Sequence, residues 1–121
     1  MAKTFRDLVN DSKTRIREVT IDDVKGMLAA QAPEVIVDIR EESEWGKGHL
    51  PGATHLGRGV LEVKVDSVFP DKDTPLVLYC GGGNRSALAA DVLQEMGYTN
   101  VRSMAGGWRG WVASGGPTKL P

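Results

Sequence analysis

The chain has 121 residues, with 15 Lys or Arg against 16 Asp or Glu, a formal net charge of −1 and 40% hydrophobic residues. That is one soluble-type domain with material for one core. The balanced charge gives no support for nucleic-acid binding, and no stretch approaches the ~20 apolar residues that cross a bilayer, so neither nucleic acid nor membrane is expected as a partner. A single cysteine, Cys80, excludes an internal disulfide and fits a reducing compartment. The start, Met1 to Asp7, lacks the apolar run of a signal peptide, so the expected location is the cytoplasm.

In chain order, residues 3–14 are polar with Phe5, Leu8 and Val9 on one side, which predicts a short, weakly held helical extension over residues 1–14. Ile16 to Val19 alternates as a short strand. Thr20 then reads as an N-cap, with Asp22 and Asp23 in the first turn and Ile21, Val24 and Leu28 at helical spacing to about Ala30. Val35-Ile36-Val37-Asp38-Ile39 is a continuous β-branched run of the kind buried on both faces of a parallel sheet. Gly48 to Gly52 is a turn-rich loop, Thr54 to Leu56 a short strand, and Val60 to Val68 a short helix of mixed periodicity.

Pro75 to Tyr79 is the second strong buried strand, and Ser86 to Met96 the best helix in the sequence. Asn100 to Met104 is a strand, which Gly106-Gly107 turns into a last helix from Trp108 to Ala113. Residues 115–121 read as a frayed tail. Strands alternating with helices over residues 15–114 predict an α/β domain: a mostly parallel five-stranded sheet with helices on both faces. Ligands of such sheets bind outside the carboxyl ends of the strands, where Cys80 and the run Asp38-Ile39-Arg40 fall.

Cys80 ends an apolar strand and is followed by Gly81-Gly82-Gly83-Asn84-Arg85-Ser86 and a helix. Successive glycine amides can curl into an anion-binding nest, and a helix N-terminus carries about half a positive charge. Both favour thiolate, the reactive form of cysteine. A lone cysteine after a strand is more often a small buried hydrophobe, but three glycines cost entropy on ordering and gain a use where backbone must approach a ligand. Arg85 adds a fixed charge beside the sulfur, and Ser86 can cap the helix.

The segment Tyr79 to Ala87 resembles the active-site loop of the rhodanese (thiosulfate sulfurtransferase) family. Val37-Asp38-Ile39-Arg40, Glu44-Trp45 and Gly48-His49-Leu50-Pro51-Gly52-Ala53 resemble its N-terminal signature, and Met104 to Trp108 with Trp111 its C-terminal one. The resemblance implies the rhodanese fold and a persulfide relay. Cys80 is then the catalytic nucleophile, and Gly81, Gly82, Gly83, Asn84, Arg85 and Ser86 bind the donor. Arg85 clamps a dianionic donor, and Arg58 stands near the pocket mouth. Asp38, Arg40 and His49 are structural residues near the site, with Arg40 paired to Glu44 or another carboxylate and His49 holding a turn. Thiosulfate or another sulfane sulfur donor and a thiol or cyanide acceptor are the implied substrates, with no cofactor. Two histidines and one cysteine offer no metal site of ordinary ligand count.

Three other functions are weighed against the same residues, and the first of them is not separable from the relay by sequence. A persulfide carrier fed by a protein partner would use the same loop. A non-catalytic interaction module would not need Cys80. A phosphatase or arsenate reductase sharing the fold carries Cys-x5-Arg, whereas Arg85 makes this loop Cys-x4-Arg.

Overall fold

The computed structural model of the chain describes residues 2–121. Five strands, β1 (Arg17–Val19), β2 (Val35–Asp38), β3 (Thr54–His55), β4 (Leu76–Tyr79) and β5 (Val101–Met104), form one sheet. Its order is β1-β5-β4-β2-β3 and every neighbouring pair is parallel. Among the described residues six α-helices accompany it: α1 (Phe5–Lys13), α2 (Ile21–Ala29), α3 (Glu42–Trp45), α4 (Leu61–Val68), α5 (Asn84–Glu95) and α6 (Gly107–Ala113).

The central strands β2 and β4 are covered on both faces, which is why they read as unbroken apolar runs. Successive side chains on β4 alternate. Leu76, Leu78 and then Cys80 face a core completed by Leu61 and Val65 of α4 and Ala89, Ala90 and Leu93 of α5. Val77 and Tyr79 face the opposite core with Val24 of α2, Met104 and Trp111 of α6. Cys80 is therefore both a core residue and the last position before the chain leaves the sheet. The N-cap expected at Thr20 is present, and the structure makes it a capping box: its Oγ1 accepts from the Asp23 N–H at 3.0 Å, and Asp23 accepts from the Thr20 N–H at 2.9 Å.

Four expectations are corrected by the structure. First, the N-terminal helix is not weakly held. Val9 is fully buried, Ser12 Oγ donates to Asp91 of α5 at 3.0 Å, and Arg15 pairs with the same carboxylate at 2.6 Å. Second, the tail is docked, because Trp111 Nε1–H donates to Pro117 O at 2.8 Å and His49 and Lys119 form an antiparallel bridge. Third, the stretch between Arg40 and Gly48, where the sequence pattern predicts no element, holds α3; four residues are too few to show a helical period. Fourth, α5 starts at Asn84 rather than Ser86, capped by Gly83 in the left-handed region with φ +94° and no side-chain cap.

Candidate active site

The loop after β4 wraps its amides around one sulfur. The Gly83 N–H donates to Cys80 Sγ at 3.2 Å and the Ser86 N–H at 3.3 Å, with Ser86 Oγ 3.5 Å from the same atom. Gly83 has a reason to be glycine. Its φ is positive, and a Cβ there would stand 3.2 Å from Gly106 N. Burial pushes the Cys80 thiol up, but hydrogen bonds from the Ser86 hydroxyl and from the amides of Ser86, Gly82 and Gly83 outweigh it, and the pKa lies below the ordinary cysteine value.

Ser86 has a different task from the one its sequence position suggests. Starting α5 two residues early turns its side chain inward, where it is fully buried between Cys80 and Ser103 of β5. The Ser103 and Ser86 hydroxyl oxygens are 2.8 Å apart. Ser103 carries no sequence signal, since it is a small polar residue on a strand whose partner lies 17 positions earlier.

The Cys80 residue is 1% exposed and forms the floor of a cavity of about 350 Å³. Phe5, Gly82, Asn84, Arg85 and Arg109 line the rest. Two of these come from outside the loop. Phe5, on α1, stands half exposed as an apolar wall, and the next residue ties α1 to the loop through Arg6 Nη1–H donating to Asn84 Oδ1 at 3.2 Å. Arg109 arrives from α6, whose start is laced to the loop: the Trp108 N–H donates to Cys80 O at 2.7 Å and the Arg109 N–H to Gly81 O at 3.0 Å. Gly107 permits that approach, because a Cβ there would lie 2.6 Å from Cys80 O at a φ of +57°.

Arg85 reaches the cavity already paired. Its Nη1 and Nη2 donate to Glu44 Oε1 at 2.9 Å and Oε2 at 3.1 Å, a forked contact across 41 positions. Glu44 Oε1 also accepts from the Glu41 N–H at 3.0 Å, so α3 holds the carboxylate in place. The hydrogen bond from Arg85 is the main reason the Glu44 carboxyl is held down to about 2.

Arg40 pairs with Asp38 rather than Glu44. The Asp38 carboxylate accepts from the Arg40 N–H at 2.9 Å, from Nε at 3.1 Å, from Nη2 at 2.7 Å and from the Tyr79 hydroxyl at 2.6 Å. Burial first, then the Asp38 carboxylate, pushes the Tyr79 hydroxyl up, so it stays protonated and donates. Arg40 Nη2–H continues to Gly48 O at 2.7 Å, tying the two strand-end loops together. His49 is also turned to structure. Its Nδ1–H donates to Leu50 O at 2.8 Å, and the ring stacks on Trp45 at 3.6 Å. Arg58 does not line the Cys80 cavity; it pairs with Glu62, one helical turn on, at 2.7 Å. Among the described residues no group of three His, Cys, Asp or Glu could hold a metal ion, and no helix is long and apolar enough to cross a membrane.

The class the fold and site define is a parallel α/β domain with a cysteine cradled by main-chain amides at a strand end. The model of the rhodanese-like domain matches residues 20–114, and the chain belongs to that family. It is 29% identical over 106 residues to a sulfurtransferase of Allochromatium vinosum, covering 88% of this chain and 97% of that one. It is 37% identical over 82 residues to the thiosulfate sulfurtransferase GlpE of Tolumonas auensis, covering 67% and 76%. Among solved structures, a Rhodopseudomonas palustris protein described as of unknown function and a possible tyrosine phosphatase superposes with a TM-score of 0.91 at 32% identity, over 98% of this chain and 96% of that one. The family match begins at residue 20, beyond α1; the Phe5 wall comes from outside the matched segment.

Proposed function

We propose that the chain is a sulfurtransferase that carries one sulfane sulfur on Cys80. The observation that carries this reading is the pair of amides, Gly83 and Ser86, donating to a sulfur whose pKa lies below its ordinary value. The Cys80 thiolate attacks the outer sulfur of thiosulfate. A sulfur–sulfur bond to Cys80 forms as the one within thiosulfate breaks, and sulfite leaves with the electron pair. The product is a Cys80 persulfide anion. Cyanide or a cellular thiolate then attacks its terminal sulfur, and the Cys80 thiolate departs with the electron pair of the broken bond. Two such displacements replace one more difficult transfer.

The loop amides from Gly81 to Ser86 support the negative charge as it moves one atom outward, as an oxyanion hole does. Arg85, held in a fixed frame by Glu44, offers hydrogen bonds to the donor at the cavity wall. Asp38, Arg40 and His49 keep the strand-end loops in register and take no part in the displacement. No cofactor enters either step, and the reducing cytoplasm fits a free thiolate.

Phosphate transfer is the second reading, because the Rhodopseudomonas palustris neighbour is described as a possible tyrosine phosphatase. The Cys-x4-Arg loop argues against it, being one residue shorter than the phosphatase form. Cavity walls of Phe5, Asn84, Arg85 and Arg109 also include no carboxylic acid or histidine to protonate a leaving group.

The test is intact mass spectrometry after thiosulfate treatment, beside a p-nitrophenyl phosphate assay. A gain of one sulfur atom, lost on adding cyanide and absent from Cys80→Ser, supports the relay. Phosphate turnover without sulfur uptake would replace it with the phosphatase reading.

A further inference from the structure

Charge at the cavity mouth is unevenly matched. A Cβ built on Gly81 would lie 3.0 Å from both Arg109 Nη1 and Arg85 Nη2, so the two guanidinium groups are close neighbours over the same stretch of loop. A Cβ on Gly82 would collide with Arg109 Nη2. Glu44 answers Arg85. Among the described residues no carboxylate lies within salt-bridge distance of Arg109, which stays exposed on its outer side. Of the two adjacent cations Arg85 is paired, and Glu41 also acts on it from a distance, which leaves the charge of Arg109 without a direct partner at the cavity mouth. In a partly desolvated pit that charge favours an anion.

The placement of Arg109 is fixed by the loop. Its own N–H is bonded to Gly81 O and its neighbour's to Cys80 O, so the side chain starts from a set point one residue from the nucleophile. A guanidinium presents five donors in a planar fork that matches two oxygens of an oxyanion. The fork of Arg85 is closed on Glu44, and Arg6 has one arm on Asn84.

We infer that Arg109 is the anion-binding residue at the mouth of the Cys80 cavity, receiving the sulfonate oxygens of the donor while the outer sulfur reaches Cys80. This rests on the sulfurtransferase reading for the identity of the donor, and on geometry alone for the anion. Phe5 is the apolar part of the same lining, and the unpaired guanidinium at the mouth makes the donor class an oxyanion-bearing sulfane rather than a neutral one. Arg85, its charge answered by Glu44, adds hydrogen bonds from the wall with the donors Glu44 leaves free, and Arg109 supplies the unpaired charge.

The experiment uses the full chain and compares wild type with Arg109→Ala, Arg109→Lys and, as a net-charge control on the exposed strand β1, Arg17→Ala. Two readouts are taken. The first is the KM and kcat for thiosulfate with cyanide as acceptor. The second is the ratio of Cys80 alkylation rates with iodoacetate, an anion, and iodoacetamide, its neutral counterpart. The ratio cancels any change in access when a side chain is removed. Losing a charge-assisted contact predicts an about tenfold higher thiosulfate KM in Arg109→Ala with kcat changed much less, and a several-fold lower iodoacetate-to-iodoacetamide ratio. Arg109→Lys keeps the ratio and recovers part of the KM, because charge is restored without the fork. Arg17→Ala leaves both unchanged.

An unchanged ratio in Arg109→Ala, or an equal fall in Arg17→Ala, overturns the inference. A wild-type chain that takes up no sulfur from thiosulfate, yet loses the ratio in Arg109→Ala, would remove the sulfurtransferase reading and leave Arg109 as the anion-binding residue.

Discussion

Ser103 stands directly behind Ser86, hydroxyl oxygen to hydroxyl oxygen at 2.8 Å, while Ser86 reaches Cys80 from its other side. The two serines make a buried relay from β5 to the sulfur. When Cys80 is a thiolate, Ser86 donates its only hydroxyl hydrogen to Sγ, and Ser103 donates to the Ser86 oxygen in turn. Ser86→Ala removes the donor itself. Its expected effect is a rise in the Cys80 pKa and a slowing of alkylation at pH 6 by about tenfold, the worth of a hydrogen bond to a charged group. Ser103→Ala moves the same profile in the same direction by less, because Ser86 remains free to donate. Alkylation profiles indistinguishable from wild type in Ser86→Ala would show that the backbone amides alone hold the charge.

The pH dependence of the wild-type chain has a definite sign. Burial raises the Cys80 pKa, but the Ser86, Gly82 and Gly83 hydrogen bonds win and the net shift is downward. The thiolate therefore persists to lower pH than in free cysteine. The rate of iodoacetamide alkylation, plotted against pH and set beside free cysteine, should have its midpoint on the acid side. It should fall only as pH drops through the lowered pKa. A midpoint at or above that of free cysteine would mean that burial has won, and the amide cradle would lose its assigned role.

The Asp38–Arg40 pair tests the frame rather than the chemistry. Both side chains are buried, so Asp38→Asn leaves a guanidinium facing a neutral amide in place of its carboxylate. Removing one partner of a buried pair costs about 3–5 kcal/mol. Urea unfolding should show that loss as a lower midpoint, whereas loss of activity with full stability would make Asp38 part of the reaction.

Much of this is legible in the sequence. The β-branched run at Val35–Ile39, the apolar run to Tyr79 and the Thr20 N-cap with acidic residues in the first turn each carry a local pattern, and local patterns define elements. The amide cradle is legible too, because glycines after a strand and before a helix leave little else for the backbone to do. Contacts distant in sequence are not. Arg85 meets Glu44 across 41 positions, through a four-residue helix without a readable period. Arg109 lies between Trp108 and Trp111 of the C-terminal signature, but its direction depends on how α6 docks under the loop. The helical start at Asn84 moved Ser86 from cap to core, since a left-handed glycine opened the helix instead.

Helix α1 yields a further expectation. It buries Val9 against α5 and brings Phe5 to the cavity wall. Phe5→Ala should leave stability nearly unchanged, because the side chain is already half exposed, while raising the thiosulfate KM by widening the cavity. Val9→Ala should cost about 2 kcal/mol through lost burial and the void left behind. If Phe5→Ala lowers the melting temperature as much as Val9→Ala and leaves KM alone, α1 is a structural brace and no part of the site.

Gly107 links the last helix to the Cys80 loop, and its replacement separates loop geometry from loop sequence. It adopts φ +57°, and a Cβ would stand 2.6 Å from Cys80 O and 2.8 Å from Gly81 C. Neither contact is to a flexible side-chain end, so Gly107→Ala must push α6 away from the loop. Two hydrogen bonds then lengthen, Trp108 N–H to Cys80 O and Arg109 N–H to Gly81 O. The left-handed conformation adds roughly 1–2 kcal/mol of backbone strain. Sulfur transfer should fall at least tenfold although no residue from Cys80 to Ser86 has changed, since a shift of about 1 Å near reacting atoms costs about 10²-fold. Gly97→Ala is the matched control: it too has positive φ, at +97°, but its Cβ meets nothing within 4 Å. Both variants should lose stability, and only Gly107→Ala should lose activity beyond the fraction unfolded. Equal losses of activity in the two would mean that strain alone accounts for the effect and that α6 does not hold the loop.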